Sequence, residues 1–85
     1  MKEFSYVIQD KIGIHARPAG LLVKEAGKFA SNITVYKGEK SASAKKIFAL
    51  MGMAVKHGDE VTVRICGSDE EAAFEAVKRF FENTF

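Results

Sequence analysis

Val61, Val63 and Ile65 alternate with Thr62, Arg64 and Cys66, and this period of two constrains the chain more than any other feature. A strand with one apolar and one polar face lies half-buried, in a sheet covered on one side only. Residues 3–9 repeat the pattern with Phe4, Tyr6 and Ile8 on one parity. Ile33–Lys37 and Lys40–Ser43 add a hairpin around Lys37-Gly38-Glu39. Elsewhere the apolar period lengthens. Ala16, Ala19, Leu22, Val23, Ala26 and Phe29 form a helical stripe, with Gly27 near its end. A short helix is expected at about 45–54, followed by a Lys56-His57-Gly58-Asp59 turn. Ser68 and Glu71 have the spacing of a capping box and open a last helix that runs to about residue 83. The expected class is α+β, in the order βαββαβα, with an antiparallel sheet and its helices on one face.

Composition narrows the function. Eighty-five residues suit one domain, 1–85, and no linker, repeat or low-complexity run divides them. Thirteen Lys and Arg against eleven Asp and Glu leave a formal charge of +2, too small to imply nucleic acid by itself. An RNA-binding sheet needs aromatics on its central strands, and KSASA and VTVRIC offer none. No stretch approaches the roughly 20 apolar residues of a membrane span. The opening MKEFSYVIQD has no apolar signal core. Cys66 is the only cysteine, which fits a reducing, cytoplasmic setting and no internal disulfide. Two histidines and one cysteine far apart give no metal-site spacing, and Gly27-Lys28 lacks the upstream glycine of a phosphate-binding loop.

The chemistry concentrates in GIHARPAG, residues 13–20, which holds the only proline. Proline is favoured in the first helical turn, where its missing N–H costs nothing, so Pro18 sets a helix start at about 15–17 with His15 near the N-cap. Free N–H groups and the helix dipole make such an end an anion site. Arg17 adds a permanent cation of phosphate-matching geometry. These positive surroundings are expected to keep His15 neutral and nucleophilic, able to accept a phosphoryl group whose charge is received by groups already in place.

GIHARPAG followed by LLVKEAGKF resembles the active-site segment of the HPr family, the histidine-containing phosphocarriers of the phosphoenolpyruvate–sugar phosphotransferase system. The likeness extends over the whole chain, through the KKIFALMGM helix and the acidic start of the last helix. It implies an open-faced β-sandwich, with a four-stranded antiparallel sheet and three helices on one face. It also implies that His15 takes phosphate through Nδ1 from phosphorylated enzyme I and passes it to a histidine of a sugar-specific enzyme IIA. By the same likeness Arg17 stabilises the phosphoryl group, and the main-chain N–H groups of Ala16 and Arg17 hold its oxygens. The carrier would be a monomeric phosphohistidine intermediate without a cofactor, not a stand-alone catalyst. A regulatory module that binds and modulates another protein is the alternative.

Residues 47–55, IFALMGMAV, contain no polar side chain, yet so small a domain cannot bury a helix on every face. Ile47, Leu50, Met51 and Ala54 make one stripe, and Phe48 falls off it. An exposed apolar patch of Ile47, Phe48 and Met51 is therefore expected, beside Arg17, Gly20, Lys24 and Lys28 on the first helix. Such a surface suits transient docking onto acidic partners. With Ser43 as the cap, Lys45 and Lys46 would occupy the first turn of the short helix. Many HPr proteins carry a regulatory serine at position 46; here it is lysine, which puts a serine switch in doubt and adds positive charge to the docking surface. His57 is expected to be a solvated turn residue and Cys66 a free thiol on the outer sheet face.

Overall fold

A computed structural model describes all of residues 1–85. The elements are β1 (Lys2–Val7), α1 (Ala16–Ala26), β2 (Asn32–Lys37), β3 (Lys40–Ser43), α2 (Ile47–Gly52), β4 (Glu60–Cys66) and α3 (Glu70–Thr84). The strands form one antiparallel sheet in the order β1-β4-β2-β3. This is the expected βαββαβα open-faced sandwich, with a four-stranded antiparallel sheet and three helices.

The register explains the alternation in the sequence. Phe4 pairs with Val63, Val63 with Val35, and Val35 with Ala42, giving one inward row across all four strands. Leu22, Ala26, Leu50, Val77 and Phe81 meet that face from the helices in a single core cluster. Phe4 and Tyr6 pack edge-on against Phe81 at ring-centroid distances of 5.6 and 5.9 Å, a favourable aromatic geometry. On the opposite face, Ser5 Oγ lies 3.2 Å from Thr62 Oγ1, and Arg64 bonds Glu3 while stacking over Tyr36. Cys66 is exposed there, as its parity requires.

Four local expectations differ from the structure. Ala16 leaves the apolar stripe of α1 and is exposed, while Pro18 takes the buried place beside Ala19. The short helix is trimmed at both ends. Its N-cap is Lys46, with no side-chain cap; Ser43 Oγ accepts only from the Lys45 N–H. It stops at Gly52 because the chain reverses at Ala54, whose φ of 52° is left-handed. Met53 is therefore buried and the expected stripe residue Ala54 is exposed, while Met51 is exposed as the expected patch requires.

The capping box also fails to form. The N-cap of α3 is Asp69, whose side chain turns away to accept from the Ala30 N–H, the Ser31 N–H and the Ser31 hydroxyl at 2.8, 2.9 and 2.5 Å. Glu70, rather than Glu71, reaches back to the Gly67 N–H at 3.2 Å. Ser31 is fully buried, so a tertiary use of Asp69 has displaced a local one.

Candidate functional site

The loop between β1 and α1 is seated on main chain. Gly13 has φ +86°, and a Cβ there would collide with the Val55 carbonyl and lie 2.7 Å from Lys56 Cα. Only glycine meets both demands without strain. The Ile14 N–H then donates to the Val55 carbonyl at 3.1 Å. The segment that carries Val55 is itself tied down. Lys37 Nζ bonds the Ala54 carbonyl at 3.1 Å and pairs with Asp59 at 2.9 Å. Lys37, followed by the Lys56 N–H, holds the Asp59 carboxyl below the usual range.

His15 follows as the N-cap of α1, in an extended conformation at φ −118° and ψ −179°. Its carbonyl accepts from the Ala19 N–H at 2.9 Å, but its ring makes no capping bond. Capping residues with short side chains close a helix start on themselves; the imidazole leaves it open. The N–H groups of Ala16 and Arg17 find no acceptor, and the first turn contains no acidic residue. Arg17 is exposed and enters no ion pair. Two unspent donors, a free guanidinium and a partly exposed imidazole thus share one helix end, a set suited to receiving a dianionic group.

One neighbour of the ring was not anticipated. Asp10 Oδ1 lies 3.8 Å from His15 Nε2. Asp10 carries a sequence signal for a turn, standing two residues before the Ile12 N–H that it caps at 2.9 Å. That spacing could have singled it out.

The docking residues fall together only in part. A Cβ on Gly20 would lie 3.6 Å from Ile47 Cδ1, so α1 and α2 touch there and Gly20 is half-buried between them. Phe48 is 85% exposed, Met51 39% and Leu21 50%; Leu21 is an exposed apolar residue of α1 that sequence reasoning missed. Lys24 and Lys46 are exposed; Lys28 pairs with Glu25 at 3.1 Å. Lys45 is spent on the Phe29 carbonyl at 2.7 Å, so Lys46 alone of that pair offers a free ammonium. His57 lies elsewhere, exposed, with Nδ1 3.2 Å from the Gln9 carbonyl.

Fold and sequence together define a small phosphocarrier of the phosphotransferase system. The chain belongs to the HPr family: the family described as "PTS HPr component phosphorylation site" matches residues 2–83. It is 46% identical to the phosphocarrier protein HPr of Mycoplasma capricolum over 84 residues, which span 99% of this chain and 94% of that one. Against the HPr of Lysinibacillus sphaericus the identity is 47% over 77 residues, 91% of this chain and 88% of the relative. Among solved structures, the histidine-containing phosphocarrier protein of Mycoplasma superimposes with a TM-score of 0.94 at 46% identity, covering 98% and 94% of the two chains. Bacillus subtilis Crh, a catabolite-repression protein, matches with a TM-score of 0.78 at 38% identity, covering 92% and 90%. No helix is long and apolar enough to cross a membrane.

Proposed function

We propose that His15 accepts a phosphoryl group through Nδ1 from phosphorylated enzyme I and passes it to a histidine of a sugar-specific enzyme IIA during coupled sugar uptake. The observation that carries this reading is the open start of α1, where the Ala16 and Arg17 N–H groups have no partner and no carboxylate fills the first turn. Those donors take the phosphoryl oxygens, and Arg17 neutralises their charge. The protein works as a monomeric, cytoplasmic, single-domain carrier. Enzyme I and enzyme IIA dock over Gly20, Lys24, Lys28, Lys46, Ile47, Phe48 and Met51, with Leu21 completing the apolar centre. Lys46 makes the carrier blind to a serine kinase and draws acidic partners, so Lys46→Glu slows transfer at low salt and the difference shrinks as salt rises.

Incubation with enzyme I and labelled phosphoenolpyruvate tests the site. Wild type takes an acid-labile, base-stable label, as a phosphoramidate does, and His15→Ala takes none. A label that survives in His15→Ala, or that maps to His57, overturns the assignment. The likeness to Crh supports a second reading, a regulatory module with phosphotransfer secondary; a labelled wild type that fails to pass phosphate to any enzyme IIA favours it.

A further inference from the structure

Asp10 is more firmly held than its place in a loop suggests. Its N–H donates to the Phe85 carbonyl at 2.8 Å, and its own carbonyl accepts from the Gly13 N–H at 3.1 Å. Oδ1 accepts from the Ile12 N–H at 2.9 Å, and the same oxygen lies 3.8 Å from His15 Nε2. No other charged side chain comes within ion-pair distance of that ring. We propose that Asp10 is a positioning residue for phosphoryl transfer, holding a proton on Nε2 of His15 so that the Nδ1 lone pair is left as the acceptor. This rests on the reading of His15 given above.

A neutral imidazole carries its proton on one nitrogen and a lone pair on the other, and the partner of the first decides which is which. A fixed carboxylate facing Nε2 favours the tautomer with N–H there. The 3.8 Å separation is longer than a hydrogen bond, and such contacts in resting sites commonly tighten when the reacting group is bound.

The bookkeeping of the step shows what is gained. The Nδ1 lone pair forms a bond to phosphorus while the donor's bond to phosphorus breaks, and that electron pair leaves with the donor. Because Nε2 already carries a proton, none has to enter or leave the ring. The ring becomes cationic, and its charge faces the Asp10 carboxylate. In onward transfer the acceptor's lone pair attacks phosphorus, the N–P bond breaks, and its electrons return to Nδ1. The leaving group is then a neutral imidazole; a ring stripped of its Nε2 proton would have to leave as the far poorer imidazolate.

Asp10→Asn separates this role from a structural one: it removes the negative charge that favours a proton on Nε2, while the amide oxygen can still accept from the Ile12 N–H and preserve the turn. Transfer from enzyme I and onward to enzyme IIA is measured on the purified full chain, alongside 15N spectra of the His15 ring. The expected result is transfer slowed about tenfold in Asp10→Asn, with a smaller Nε2–H population and an unchanged fold. A wild-type rate and an unchanged ring spectrum in Asp10→Asn overturn the proposal, even if Asp10→Ala is slow, and leave Asp10 as a turn residue. Failure of the underlying reading looks different: His15→Ala would still be labelled.

Discussion

The two longest helices begin in opposite ways. At α1 the N-cap is a histidine, the first turn has no acid, and two N–H groups wait unpaired. At α3 the N-cap is Asp69, Glu70 and Glu71 fill the first turn, and Glu70 bonds the Gly67 N–H and the Met1 amine. Neither N-cap side chain caps its own helix. The second end satisfies its dipole with the chain's own carboxylates, whereas the first leaves that position open. A helix start is thus either a structural joint or a binding site, and the placement of acid decides which.

The strongest way to break this contrast is to make α1 resemble α3. Ala16 is exposed in the first turn, so Ala16→Glu supplies the missing carboxylate. Stability should rise by about 0.3–1 kcal/mol, while phosphorylation by enzyme I should slow about ten- to a hundredfold. Melting curves and labelling rates on the same sample check both; a faster or unchanged rate would deny the site its anion.

A smaller effect is expected at the other end. Ser31→Ala removes the hydroxyl that donates to Asp69 at 2.5 Å and should cost about 1–2 kcal/mol in denaturant unfolding. Phosphotransfer should stay near wild type, since this joint lies outside the site.

The same joint is sensitive to acid. The Ser31 hydroxyl, then the Ala30 N–H, holds the Asp69 carboxyl below its usual value. The Met1 amine, then the Gly67 N–H, does so for Glu70. A carboxyl depressed by folding adds stability that is complete above its unfolded value, about 4, and is lost as pH falls through the folded one. Melting temperature should therefore drop below about pH 4, and Asp69→Asn should flatten that dependence. A parallel pair of curves would separate Asp69 from acid stability.

The smallest effect lies inside α1. A methyl at Gly20 meets only Ile47 Cδ1 at 3.6 Å, an ordinary contact, so Gly20→Ala should stabilise by about 0.5–1 kcal/mol. Thermal melts measure it, and a loss would mean that the added methyl disturbs the packing of α1 against Ile47.

Residues that answer to neighbours in sequence were legible. Alternation in Val61–Ile65 and the offset from Pro18 to His15 gave the sheet and the start of α1, because each follows from local geometry. What stayed hidden answers to distant partners. The end of α2 at Gly52 and the burial of Met53 follow the left-handed turn at Ala54, costing about 1–2 kcal/mol. That turn aims the Val55 carbonyl at Ile14. Asp69 leaves its helix for a segment 38 residues away. Asp10 meets His15 through a loop whose path depends on Val55 and Phe85.

The seating of Gly13 on Val55 and Lys56 has a consequence for how such a chain can change over time. The height and tilt of His15 are set where backbone rests on backbone, with no side chain in between. Substitutions that resize Leu22, Val63 or Phe81 alter the core beneath without entering that joint. Lineages can then repaint the surface and repack the interior while the histidine keeps its station, provided position 13 stays glycine.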